Sequence, residues 1–131
     1  MALTTFPAGE TISKFSPVVV SSGGFLYKAS PYNLSSARVT GISLDAGAPN
    51  DLIRVQTDDI ISNFSGLTPG QNYYLGASSG TLASGYTAWA AQIADGFSTG
   101  AYFAPIGIAM TSTDFSVEIQ EPIFVTTSGL L

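Results

Sequence analysis

Phe115-Ser116-Val117-Glu118-Ile119-Gln120 alternates apolar and polar residues without a break. Successive side chains of a β-strand point to opposite faces, so this pattern puts Phe115, Val117 and Ile119 on a core face. Leu52-Ile53-Arg54-Val55-Gln56 obeys the same rule, with Ile53 and Val55 inward. Working outward, β-branched and aromatic residues predict further strands at Ser16 to Val20, Phe25 to Ala29, Val39 to Leu44, Asn72 to Leu75, Ile106 to Met110 and Ile123 to Thr126. Turn signals separate them: Ser22-Gly23-Gly24, residues 46–51, Thr68-Pro69-Gly70 and Ser78-Ser79-Gly80. Short strands at this spacing predict an all-β domain, a small β-barrel or β-sandwich.

Two features modify that picture. Thr87 to Ala94 is made of helix formers, with Thr87 as N-cap and Gly96 in C-cap position, and predicts one short helical insertion. The strings Gly41-Ile42-Ser43-Leu44 and Ile53-Arg54-Val55-Gln56 are echoed by Gly107-Ile108-Ala109-Met110 and Val117-Glu118-Ile119-Gln120. Each copy follows a Tyr-containing strand, Leu26 to Ala29 in one and Tyr74 to Ala77 in the other. The echo predicts a pseudo-duplicated strand unit whose halves pack together. Gly41 and Gly107, inside strands, mark bulges or close strand crossings, whereas Gly24, Gly70 and Gly80 supply positive φ at turns.

Composition bounds the chemistry. The chain has 131 residues, a length that predicts one domain over 1–131 with a folded surface of about 6,500 Å². It contains neither cysteine nor histidine, which excludes disulfides, thiol catalysis, Cys-ligated metals and the usual general base. Only 10% of its residues are charged, against about 25% in typical domains. So sparse a charge on a surface rich in Ser and Thr predicts an oligomer or a component of an assembly. A net charge of −5, with Lys14, Lys28, Arg38 and Arg54 as its cations, excludes a nucleic-acid partner. The longest aliphatic block, Pro17 to Val20, is far too short for a membrane span, so no membrane partner is expected. The first ten residues lack the basic and apolar regions of a signal peptide, so synthesis in a cytosol without ordinary export is expected.

The candidate contact residues are aromatic and apolar. Tyr86, Trp89, Phe97, Tyr102 and Phe103 fall in one irregular stretch, and Trp and Tyr dominate interface hot spots. The competing readings are that Trp89 and Phe103 plug a barrel end, or that Trp89 and Tyr102 form a carbohydrate platform. The chain ends, 1–11 and 121–131, are unusually apolar, with Phe6 in one and Phe124, Leu130 and Leu131 in the other. They read as arms reaching a neighbour or as edge strands of their own domain. Asp58 and Asp59 would point to opposite faces of a strand, and no histidine accompanies the serines, so no catalytic residues are assigned. Asp45, Asn50 and Asp51 flank one turn, where turn formation outweighs calcium binding, so no metal or cofactor is assigned.

Gly66-Leu67-Thr68-Pro69-Gly70-Gln71-Asn72-Tyr73-Tyr74-Leu75 resembles the G-L-x-P-G-x-x-Y-Y-L strand start of tailed-bacteriophage virion proteins. It is followed, as in those proteins, by a glycine turn, Ser79-Gly80-Thr81-Leu82. Residues 105–117, from Pro105-Ile106-Gly107 to Phe115-Ser116-Val117, are similar to their P-x-G-x-A strand pair, and Gly41 to Gly47 resembles the matching strand and turn of capsid cement proteins and fibre-attached β domains. The likeness runs from about Phe15 to Gln120. It implies a structural, non-enzymatic virion protein, made in the host cytoplasm and placed on the capsid exterior. Its partners would be the major capsid protein and two further copies of itself, in a homotrimer. The alternative within the same resemblance is the β knob of a head or tail fibre that recognises a host surface or attaches a fibre. The chain has no coiled-coil, collagen-like or β-helix shaft repeat, which favours decoration.

Overall fold

Ile53 and Val55 are fully buried while Leu52 and Arg54 face outward, as the alternation requires. The computed structural model describes residues 3–76, 80–85, 101–126 and 129–130. The fold is all-β, built from three antiparallel sheets. The first contains β1 (Leu3–Pro7), β2 (Pro17–Val20), β3 (Leu26–Lys28), β4 (Gly41–Ser43) and β5 (Leu52–Gln56), in the order β1-β5-β4-β2-β3. A single turn of helix, α1 (Leu34–Ala37), follows β3. The second contains β6 (Asp59–Ile61), β7 (Asn72–Leu75), β8 (Leu82–Ser84), β10 (Pro105–Ala109) and β11 (Phe115–Val117), in the order β6-β11-β10-β7-β8. The third joins β9 (Ala101–Phe103), β12 (Ile123–Thr126) and β13 (Gly129–Leu130). The helix expected at Thr87 to Ala94 lies outside the described residues, and α1 was not expected.

The first two sheets are copies of one unit. Matching strands in chain order pairs β1 with β6, β2 with β7, β3 with β8, β4 with β10 and β5 with β11, and the order within the sheet is then the same in both. The register agrees as well: Gly41 lies opposite Val18 as Gly107 lies opposite Tyr73, and Val55 opposite Ser43 as Phe115 lies opposite Ala109. Hydrogen bonds at the strand ends repeat too. Phe15 N–H donates to the Ser43 carbonyl at 2.8 Å and Gly70 N–H to the Ala109 carbonyl at 2.7 Å. Leu44 N–H donates to the Arg54 carbonyl, and Met110 N–H to the Asp114 carbonyl, both at 2.8 Å.

This matching corrects the register of the sequence echo. Val55 corresponds to Phe115 rather than to Ile119, and the strand Leu26–Lys28 corresponds to Leu82–Ser84, not to the Tyr74 strand. The cause is turn length. Between β4 and β5 the chain makes an excursion in which Gly47 exchanges two 2.9 Å hydrogen bonds with Ile12, whereas β10 and β11 are joined by a tight turn closed at Asp114. A comparison of strings at constant spacing slides past such a change.

Apolar burial holds each unit and then joins the two. Ile12, Val18, Leu26, Ile53 and Val55 form a core inside the first sheet, covered by Phe6 and Val20. The chain leaving β1 crosses to β3, where Ala8 bridges Leu26, Gly9 N–H donates to the Leu26 carbonyl at 2.8 Å, and the Glu10 carboxylate accepts Lys28 N–H at 2.8 Å. The sheet therefore curls until its outer strands meet, which satisfies backbone groups an open edge would leave bare. The larger core mixes residues of both units: Val39 and Ile42 from the first pack with Ile61, Tyr73, Leu75, Ile106 and Phe115 from the second. Phe15 stacks on Phe64 at 4.3 Å, and Phe64 meets Phe115 at 5.3 Å, so a row of rings crosses the boundary. Full burial of a ring such as Phe115 contributes about 2–3 kcal/mol.

Candidate interaction surface

The third sheet gathers three of the residues singled out as contacts. Tyr102 and Phe124 are cross-strand partners in the β9–β12 ladder, their ring centroids 5.0 Å apart at 55°. Tyr102 N–H donates to the Pro31 carbonyl at 2.7 Å, which fastens β9 to the first unit. Phe103, on the opposite face of β9, lies against Tyr74 of β7 with centroids 4.1 Å apart. All three rings are half-buried, presenting an edge or face rather than a whole ring. Phe6 is in a different place: it sits on β1 and covers the first core. The N-terminal segment is thus the edge strand of its own sheet, paired along its length with β5. Leu130 is in β13 with its backbone opposite Val125. Tyr86, Trp89, Phe97 and Leu131 lie outside the described residues.

Other exposed apolar side chains were not singled out. Leu52 is 70% exposed and Met110 54%, and Leu3, Ile60 and Ile123 are also open to solvent. Their signal is present in the alternation, because Leu52 precedes the inward Ile53 and Ile60 precedes the inward Ile61. Tyr74 carries the same signal, since its neighbour Tyr73 is the one that faces the core.

The charged residues are used locally. Arg54 donates through Nε and Nη2 to the Asp45 carboxylate, at 3.0 and 2.8 Å, and its backbone N–H donates to the same group at 3.0 Å. Those hydrogen bonds, from the guanidinium first and then the backbone, hold the Asp45 carboxyl at about 2, below its ordinary 3.8. Arg38 pairs with Glu121 at 3.4 Å, and the Lys14 ammonium sits 4.9 Å from the Phe15 ring centre. At the turn considered for calcium, Asp51 accepts Ala48 N–H at 2.8 Å and Asn50 adopts φ 77°, both ordinary turn functions. Among the described residues no three acidic side chains gather as a cation site.

One groove stands out on the outer face of the second sheet. It has a volume of about 230 Å³, with Tyr74 and Phe103 as an aromatic wall, Pro105 and Gly107 along its length, and Asn72, Glu118 and Gln120 at its polar side. Every one of these residues sits on, or directly beside, β7, β9, β10 or β11. In comparisons with known proteins the chain matches no family model and no curated relative.

Proposed function

We propose that this protein is a structural component of a bacteriophage virion, a homotrimer that binds across capsomer junctions and stabilises the capsid. The reading rests on the resemblance of residues 15–120 to phage decoration proteins. The observation that carries it furthest is the surface: nine acids and four bases are spread over 6377 Å². Two of the four bases are already engaged in ion pairs, with Asp45 and Glu121. What remains is hydroxyl-rich and apolar, with Leu52, Met110 and Ile60 open. Such a surface approaches a partner without stripping water from unpaired ions, the largest penalty in forming a contact.

The mechanism is thermodynamic. A protein that binds the assembled shell and not its separated subunits shifts the equilibrium toward the shell in proportion to RT ln(1 + [L]/Kd). No bond is made or broken, and no cofactor is required. Duplication suits the task, because each chain offers two related curved sheets to a repeating lattice.

Light scattering over a range of protein concentrations tests the oligomer, and co-sedimentation with empty capsids tests the partner. A constant species of about 40 kDa, three chains of 13.5 kDa, that pellets with capsids and raises their melting temperature is the expected result. A chain that stays monomeric and leaves capsids in the supernatant sinks the proposal.

A further inference from the structure

We propose that the groove between β9 and the outer face of the second sheet binds a neutral hexopyranoside, through Tyr74, Phe103, Asn72, Glu118 and Gln120. This inference does not depend on binding to a capsid. A pyranose ring presents one apolar C–H face and a rim of hydroxyl groups. A site for it therefore needs an aromatic wall and a few fixed donors and acceptors beside it.

The groove has both. Tyr74 and Phe103 lie against each other at 4.1 Å with an interplanar angle of 32°, forming a continuous apolar wall. Asn72 and Gln120 each carry one acceptor and two donors, and neither side chain makes a hydrogen bond with another described residue. Glu118 accepts only a long 3.4 Å contact from Ser116 Oγ, leaving most of its capacity for a ligand. Gly107 contributes no side chain to obstruct the space, and about 230 Å³ is room for a single sugar ring.

Strand pairing sets the positions. Tyr74 lies opposite Pro105, Asn72 opposite Ile108, and Glu118 N–H donates to the Ile106 carbonyl at 2.8 Å. Gln120 N–H donates to the Pro105 carbonyl at 3.1 Å, so the polar side is held on the same ladder. Recognition groups on rigid strands keep their geometry without an ordering cost when the ligand arrives. Charge selects the class: Glu118 lines the groove and no Lys or Arg does, which opposes sugars bearing a carboxylate.

The test is a titration of the ¹⁵N-labelled full chain with lactose, diacetylchitobiose and 3′-sialyllactose, followed by amide chemical shifts. Saturable shifts confined to Asn72, Tyr74, Gly107, Glu118 and Gln120 with at least one neutral sugar are expected. The sialylated sugar should bind at least about tenfold more weakly than lactose. Asn72→Ala and Gln120→Ala change exposed side chains, keep the folded spectrum, and each weaken binding by about tenfold. No saturable shift with either neutral sugar, shifts that map elsewhere, equal affinity in both variants, or a preference for the sialylated sugar each overturn the proposal. Capsid co-sedimentation of the same variants is unaffected, which keeps this test separate from that of the shell.

Discussion

Phe15 and Gly70 stand at the same bend in the two copies of the repeated unit. Both have a left-handed backbone, φ 61° and φ 80°, and both donate their N–H to the matching strand, at Ser43 and Ala109 respectively. The bend demands positive φ. One copy meets the demand with the residue that adopts it freely, and the other with a bulky side chain for which it costs about 1–2 kcal/mol. What holds Phe15 there is its ring, stacked on Phe64 at 4.3 Å and 12° and so joined to the core of the second unit.

Phe15→Ala therefore removes the stack and keeps the strain, for an expected loss of about 1–2 kcal/mol in urea denaturation. Phe15→Gly loses the same stack but releases the strain, and should be more stable than the alanine variant by about 1 kcal/mol. The order would be reversed if the bend did not require positive φ.

Gly41 and Gly107 are the close crossings of the two units. A Cβ on Gly41 would lie 2.5 Å from the Gln56 carbonyl oxygen, and one on Gly107 would lie 2.1 Å from that of Ser116, its counterpart. Backbone cannot yield as a side chain can. Gly41→Ala and Gly107→Ala should each lose about 3 kcal/mol or more, or fail to fold, measured by denaturation and soluble yield. Gly70→Ala, with nothing within 4 Å of its Cβ, should lose only the conformational cost of about 1–2 kcal/mol.

Gln56 is buried at the link between the units, where its side-chain N–H groups donate to the Asp58 carbonyl at 2.7 Å and the Ile60 carbonyl at 3.2 Å. Gln56→Leu preserves much of the volume and removes both donors. The expected loss is about 1–3 kcal/mol in the same denaturation assay. A neutral outcome would mean that water replaces the amide.

Asp45 has its carboxyl depressed to about 2 by Arg54. A depressed carboxyl contributes stability above its ordinary value of 3.8, and that contribution disappears as pH falls from about 4 through 2. Because the pair is exposed, water and salt screen it and the effect is small. Urea midpoints between pH 5 and pH 2 should fall more steeply in the natural protein than in Asp45→Asn. The difference should shrink in high salt.

Leu52, the most exposed large apolar side chain among the described residues, probes the proposed contacts. Leu52→Asp should leave the denaturation midpoint within about 0.5 kcal/mol of the natural protein. Trimer formation or capsid retention should weaken if this face is covered in the assembly. Unchanged behaviour in both assays places the contact on another face.

The strands that sequence alone located are those with an unbroken alternation or a β-branched run, such as Leu52–Gln56, which begins and ends where the pattern does. β6, β8 and β9 escaped it because each has three residues, too few for a period of two to show. The same limit applied to the surface: Tyr102, Phe103 and Phe124 were legible as candidates from their type, while Tyr74 became a wall of the groove only when β9 crossed it.

The amino-acid sequence by itself determined the all-β class, the inward faces of β5 and β11, the glycines at the positive-φ turns, and the presence of two related halves. These are local matters, set by side-chain period, by the Cβ of an L-residue, and by composition. Tertiary structure alone decided how the halves correspond and what they share. The equivalence of Phe15 with Gly70 and the clashes awaiting a Cβ on Gly41 or Gly107 arise between residues distant in the chain. Hydrogen bonds and close packing act across space, and a change in turn length moves their partners without changing the strings around them.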